Sequence, residues 1–175
     1  ELTYAPEEEI NAYASDAATV VIYKGIVQYA RSDAEIAMVI AHEMAHHIAD
    51  HIRESQNSKA GGAIIGGVAM TLLLGDAVAY SGQVIADGMQ IGAAAGALTF
   101  SRKQEMEADY LSAYIISRAG FDLDAGRGIL VKLGRMSGRT TSTVLDTHPA
   151  GPERVAAWDL AAAEIRSGSP MPRKR

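Results

Sequence analysis

His42, Glu43 and His46 form an H-E-x-x-H run, a residue pattern with hydrolytic chemistry built into its spacing. On an α-helix, residues four apart lie one turn above each other on the same face. Two imidazoles so placed can converge on one Zn²⁺ at about 2.0–2.1 Å each. Glu43 can then act as general base on a metal-activated water, which is the chemistry of peptide-bond hydrolysis. From the composition of the chain, chance yields such a pattern roughly once in a hundred sequences of this length. Met44 and Ala45 are uncharged helix formers, and the preceding Met38-Val39-Ile40-Ala41 is apolar. The spacing therefore predicts a buried helix over 34–53 that holds its ligands rigidly.

A catalytic zinc needs three protein ligands and one open position. The 175-residue chain has no cysteine, so thiolate ligands, a thiol nucleophile and disulfides are all excluded. The metzincin spacing would require a histidine at position 52 and a glycine at 49. Ile52 and Ala49 stand there instead. Continuing the helix past His46 turns His47 about 100° and His51 about 500° away from the ligand face, so neither is expected to bind. A carboxylate from another helix is the remaining route. In Ser101-Arg102-Lys103-Gln104-Glu105-Met106-Glu107-Ala108-Asp109, residues Glu105 and Asp109 share a face, while Glu107 lies about 200° from Glu105. Glu105 is taken as the third ligand. Asp109 is taken as the carboxylate that accepts the second N–H of a ligating histidine. By itself this segment reads as a solvated charged face; the upstream histidines change that reading.

The elements that must position these groups follow from pattern and punctuation. A strand is expected over Ile10–Ala14, and another over the β-branched run Thr19-Val20-Val21-Ile22-Tyr23. Lys24-Gly25 reads as a turn, with Ile26-Val27 extended beyond it. This gives a small sheet or hairpin just before the metal helix. Ser32 and Glu35 read as a capping box at that helix's start. A second helix spans Ser101–Ala119 and stops at Gly120 as its C′ residue. Further helices are expected over Asp124–Met136 and Glu153–Arg166. Aromatic residues are few, so the core should consist of Ala, Ile, Val, Leu and Met. The formal net charge is −5, with no basic face suited to nucleic acid. The basic end, Arg173-Lys174-Arg175, reads as a solvated tail.

Residues 60–99 differ from the rest. They are Gly, Ala and aliphatics with only two charges, Asp76 and Asp87. The uncharged run Ala60–Gly75 is sixteen residues long, short of the ~20 that a spanning helix requires. Glycines four apart suit close helix packing. Two readings stay open for this insert: a pair of tightly packed core or lid helices, or a segment that contacts a membrane. One domain accounts for the whole chain, 1–175.

His42-Glu43-Met44-Ala45-His46, followed after a long gap by Glu105-Met106-Glu107-Ala108-Asp109, resembles metallopeptidase family forty-eight. This gluzincin group contains the CAAX prenyl endopeptidase, the bacterial heat-shock membrane protease and the periplasmic assembly-quality-control proteases. Ile10–Ala14 resembles the family's "NAFA" strand. Thr147-His148-Pro149, with Arg154 six after the histidine, resembles its "THP…R" signature. The similarity covers most of residues 10 to 160. It implies an α+β, mainly α, zincin-like fold with a small N-terminal sheet beside the active-site helix. It implies one Zn²⁺ held by His42, His46 and Glu105, with Glu43 as base and Asp109 as orienting carboxylate. His148 and Arg154 are implied to sit beside the metal, His148 stabilising the oxyanion, touching substrate or filling the open zinc position. Asn11 and Ala12 would begin the strand that accepts an extended peptide. The chain departs from the family in the polar His47 and in lacking the spanning helices of its membrane members, which argues against a prenyl-protein substrate.

The resulting expectation is a zinc metalloendopeptidase of the bacterial cell envelope, acting on extended or unfolded protein, misfolded or envelope proteins among them. Rival expectations are a latent, chaperone-like module with an autoinhibited zinc site, and a membrane-peripheral adaptor built on residues 60–99.

Overall fold

The structure is a computed structural model. It describes residues 1–14, 19–55, 57, 100–136, 148 and 151–168. The expectations for the 60–99 insert, the turn residues Thr147 and Pro149, and the C-terminal basic tail lie outside the described residues.

Three short strands form one sheet: β1 (Leu2–Ala5), β2 (Ala12–Ala14) and β3 (Val20–Tyr23). The order is β1-β3-β2. The central strand β3 is the β-branched run, and its residues alternate between buried and half-buried. β1 runs parallel to it, with Leu2 opposite Val20. β2 runs antiparallel, with Ala12 opposite Ile22. The expected small sheet is therefore present, with β2 and β3 antiparallel and β1 added as a parallel strand. β2 begins at Ala12 rather than Ile10, because the Asn11 N–H turns back to the Glu9 carbonyl at 2.9 Å.

Lys24-Gly25 is not a turn, and Ile26-Val27 is not extended. Both pairs belong to a helix, α1 (Lys24–Tyr29), that leaves β3 directly. Gly25 is needed for a different reason than turning. The Glu8 and Glu9 carbonyl oxygens lie 2.2 Å from where a Cβ would stand, so any side chain there would displace the 7–9 loop. The Gly25 N–H donates to the Glu7 carbonyl at 3.0 Å, closing the contact.

The metal helix is α2 (Asp33–Ile48). Ser32 caps it as expected, its hydroxyl accepting from the Glu35 N–H at 3.3 Å. The reciprocal half of the box is shifted by one residue: the Glu35 carboxylate accepts from the Arg31 N–H at 2.7 Å. It also takes a hydrogen bond from Lys132 Nζ at 2.6 Å, an ion pair that is mostly buried. The helix does not run on to Arg53. It is capped at Ala49, Asp50 adopts a left-handed φ of 67°, and helical geometry resumes at 51–55. The angular argument that set His51 aside presumed an unbroken helix and so does not apply. His51 is buried within a second compact unit, His51–Phe100, where its ring lies 6.3 Å from that of Phe100.

The remaining helices are α3 (Arg102–Arg118), α4 (Leu123–Gly134) and α5 (Pro152–Arg166). α3 begins in a full capping box, with Ser101 and Gln104 exchanging side chain and backbone bonds. It ends as expected before Gly120, whose φ of 82° only glycine adopts without strain. The main packing contacts join α2 to α3 and α3 to α5. The core between them includes Met38, Val39, Ile116, Ile129 and Leu130, each worth roughly 1.5–3 kcal/mol when fully buried. An aliphatic core is only part of the outcome. Among the described residues Trp158 is the largest fully buried side chain, and Tyr114 is buried in the same cluster. Among the described residues, no helix is long and apolar enough to cross a membrane.

Candidate active site

α2 presents His42, Glu43 and His46 to the interior, exposed by only 4, 1 and 0 %. The i, i+4 spacing brings the two Nε2 atoms to 3.1 Å from each other. α3 supplies the carboxylates. Its capping box fixes the helix start so that Glu105 falls in the first turn, where the helix dipole favours an acid. Asp109 lies one turn on, on the same face, and both are fully buried. His148 enters from the connection before α5, and Arg154 from the first turn of α5, where Pro152 occupies the helix start.

Glu105 is the centre of the constellation. Its Oε2 lies 3.4 Å from His42 Nε2, and its Oε1 lies 3.4 Å from His46 Nε2 and 3.0 Å from His148 Nδ1. His148 Nδ1 is also 3.3 Å from His42 Nε2. One donor atom from each of His42, His46, Glu105 and His148 lies within 4.8 Å of the others. This donor set fits a zinc ion. A tetrahedron with bonds of about 2.0–2.1 Å has edges of about 3.3 Å, close to the separations observed. Two facing ring nitrogens 3.1 Å apart need a shared proton or a cation between them, and the site offers the nitrogen, nitrogen, oxygen set that zinc takes.

A surrounding set of charges holds these donors. Asp109 Oδ1 lies 3.0 Å from His42 Nδ1, so it fixes the ring and leaves Nε2 to face the donor cluster. Arg154 grips Asp109 with a two-pronged fork, Nε to Oδ2 at 2.6 Å and Nη2 to Oδ1 at 2.8 Å. Its Nη1 reaches Glu105 Oε2 at 2.9 Å. One guanidinium thus ties the carboxylate that meets His42 Nδ1 to the one inside the four-donor group.

His42 and His46 are driven in opposite directions. Burial opposes the charging of His42, but the neighbouring Asp109 carboxylate and then Glu105 override it and hold the pKa up at about 10. Burial pushes His46 down to about 2, with the adjacent His42 and His148 working the same way. A metal takes the neutral imidazole, so burial already suits His46 to it, whereas binding at His42 would displace that ring's proton. Burial alone would raise the Glu105 carboxyl. The hydrogen bonds of His148, His42 and His46 instead hold it well below the usual carboxylate range.

Glu43 is different. Both its carboxylate oxygens are buried with no hydrogen-bond partner. His148 Nε2 lies 3.5 Å from Oε1. A partnerless buried carboxylate costs free energy, so its retention needs a reason beyond packing.

The structure thus brings His42, Glu43, His46, Glu105, Asp109, His148 and Arg154 into one cluster. His47, His51 and Glu107 are outside the four-donor group. Asn11 and Ala12 stand at the start of β2, an outer strand of the sheet, where Asn11 Oδ1 accepts from the Ala12 N–H at 2.9 Å. What the sequence reading missed is the wall facing Glu43. An apolar cavity beside it is lined by Leu130 and Leu133 of α4 together with Met38, Val39 and Val155. The spacing of Ile129, Leu130 and Leu133 announced an apolar face on α4, but nothing in it said what that face would front.

Comparisons with known proteins agree with this geometry. The sequence pattern of peptidase family M48 matches residues 2–161. The chain is 32 % identical to the mitochondrial metalloendopeptidase OMA1 of Arabidopsis thaliana, over 88 % of this chain and 30 % of that protein. It is 30 % identical to the beta-barrel assembly-enhancing protease of Escherichia coli, over 91 % of this chain and 34 % of the relative. A Schizosaccharomyces pombe OMA1 is 30 % identical over 83 % and 41 % respectively. The chain spans about a third of the length of these relatives. With the match running through both histidines, Glu105 and Arg154, this chain belongs to peptidase family M48.

Proposed function

We propose that this chain is the catalytic region of a zinc metalloendopeptidase that cuts extended segments of misfolded or envelope proteins. The observation that carries the reading is the four-donor cluster with a partnerless carboxylate beside it. His42, His46 and Glu105 would hold the zinc. When bound, the ion supplies a Lewis acid that polarises the scissile carbonyl and makes water acidic enough to deprotonate near neutral pH.

The chain's own groups do the rest. Glu43 takes a proton from the attacking water and passes it to the leaving nitrogen, the task for which its two free oxygens are placed. Asp109 keeps His42 oriented through Nδ1, and Arg154 keeps Asp109 and Glu105 in register. His148 stands in the same four-donor group, where it would either contact the substrate carbonyl or fill the position the substrate needs. β2 supplies the docking edge. Tyr23 N–H donates to the Asn11 carbonyl at 3.1 Å, while Ala12 is buried with its N–H on Asn11 Oδ1, so the accessible part of this strand lies at Tyr13 and Ala14. An extended peptide can add there as a further strand.

The relatives named as an assembly-enhancing protease and a mitochondrial metalloendopeptidase support a setting in a cell envelope or organelle, and the bacterial envelope is the address we favour. Digestion of denatured casein with matched metal analysis tests the reading. Glu43→Gln should keep its zinc and lose at least a hundredfold in cleavage rate, at the lower end of what a general base contributes. Glu105→Ala should lose zinc, whereas Glu107→Ala should retain it. Undiminished cleavage by Glu43→Gln refutes the base; zinc loss in Glu107→Ala alone refutes the ligand set.

A further inference from the structure

We propose that Lys132 is a positioning residue: its ammonium, clamped by Glu35 and the end of α1, sets how far α4 stands from Glu43 and so how tightly substrate binds. The inference rests on the peptidase reading. It adds a residue outside the donor cluster that acts on substrate binding while touching neither metal nor substrate.

Lys132 stands on the half of α4 that fronts the site. Its neighbours Leu130, Val131, Leu133 and Gly134 line the cavity beside Glu43, and Lys132 does not. Its Nζ donates instead to Glu35 Oε2 at 2.6 Å and to the Tyr29 carbonyl at 3.4 Å, and lies 4.9 Å from the centre of the Tyr29 ring. The same Glu35 oxygen accepts from the Arg31 N–H at 2.7 Å. Gly128, one turn earlier on α4, brings the helix against this carboxylate: a Cβ there would stand 3.4 Å from Glu35 Oε1. Tyr29 closes α1, which runs on from β3, the strand that pairs with β2. One ammonium therefore ties α4 both to α2 and to the helix that continues the sheet.

Spacing on α2 links this clamp to the catalytic groups. Glu35 stands seven residues before His42, a rotation of about 700°, so it lies about two turns away on nearly the same face. Anchor and ligand are about 10.5 Å apart along one helix. A displacement of α4 at Lys132 is thus a displacement relative to His42 and Glu43. The other end of α4 is held by exposed pairs to α5, Arg127 with Asp159 at 2.6 Å and Asp124 with Arg166 at 2.8 Å. Exposed pairs of this kind contribute little. The pair at Lys132 is mostly buried, and loss of the ammonium would leave the Glu35 charge there without its counter-ion. Water would have to reach that charge, which moves the site-facing half of α4 away from α2.

Two measurements on the zinc-loaded full chain test the proposal. In the first, fluorescein-labelled denatured casein gives kcat and KM. Lys132→Met should raise KM about tenfold, with kcat and zinc content changed less than about twofold. Lys132→Arg should hold KM within about threefold of the native value, because it keeps the charge. Glu35→Gln should act like Lys132→Met, and the double variant should be no worse than either single one, since the pair is already broken. Arg127→Met, which frees the exposed end of α4, should leave KM unchanged. In the second, Met44→Cys and Arg135→Cys place two spin labels at exposed positions of the otherwise cysteine-free chain. The distance distribution between them should broaden in Lys132→Met and Glu35→Gln and stay narrow in Lys132→Arg. A fall in kcat with KM unmoved, an equal rise in KM from Arg127→Met, or an unbroadened distribution overturns the proposal. If Lys132→Met does not fold, Glu35→Gln, which keeps its side-chain shape, decides both tests. Broadening in the variants of a zinc-loaded chain that cuts no casein would support the clamp and sink the peptidase reading instead.

Discussion

Two of the ties between α3 and α5 are made differently. Near the start of α3, Asp109 and Glu105 share the Arg154 guanidinium, with all three side chains buried. Further along the same helix, Tyr110 and Tyr114 both donate to the Glu164 carboxylate, Tyr114 at 2.8 Å, at the half-exposed rim of the bundle. Either tie would hold two helices together. Only the first takes three charges out of water, and an apolar replacement of similar volume would often be at least as stable. The rim tie is what joining two helices requires. The buried tie fits the proposed site, in which one carboxylate would face the metal and the other would orient a ligating histidine. The comparison separates residues kept for cohesion from residues kept for chemistry.

The sharpest way to break that contrast is Arg154→Ala. It strands two buried carboxylates without their shared cation, so it should cost about 3–5 kcal/mol in unfolding free energy and lower zinc content with it. Urea denaturation with parallel metal analysis reads both. A cost no larger than that of a rim substitution would mean the buried tie is not tight. Metal removal should come next in size. Zinc binds the assembled donors and not the unfolded chain, so free zinc at a hundred times its Kd adds about 2.7 kcal/mol. A chelator should lower the unfolding midpoint of the native chain and leave that of Glu105→Ala unchanged. An unchanged native midpoint would show that the four donors do not share an ion.

The same contrast explains what could be read before the structure was known. Local chemistry was legible. The Ser32 cap, the His42/His46 face, the Glu105/Asp109 face and the stop at Gly120 each depend on residues within one or two turns of each other. What sequence left unread depends on distant partners. Gly25 signals a turn by type, yet its role is set by the 7–9 loop that rests on it. The break after Ala49 rests on Asp50 in a left-handed conformation, which its neighbours in sequence do not demand. Arg154 came to notice through a family signature as a neighbour of the metal. That it joins Asp109 to Glu105 needed two helices in place. The apolar face of α4 was not singled out, because its place beside Glu43 comes from the fold.

Tyr114→Phe gives the smallest effect and the most discriminating one. It removes one donor from the rim tie while preserving the buried ring. The loss should be about 2–4 °C in Tm, the shift that one hydrogen bond of typical net worth produces in a chain of this size. Zinc content and cleavage should not move, because Glu164 lies outside the donor cluster. Its pH dependence has a fixed sign. The Tyr110 hydroxyl, then that of Tyr114, holds the Glu164 carboxyl below its ordinary value of 4.5, with burial pulling weakly the other way. A carboxyl lowered in the folded state contributes stability in full above its unfolded pKa, and that contribution fades as pH falls through the folded value. The gap in Tm between native chain and variant should therefore be constant from pH 7 to about 5 and close below about pH 4. A gap that widens in acid would mean that the tyrosines prefer the protonated carboxyl, and the rim would then have to be read as a titrating site and not as a fastening.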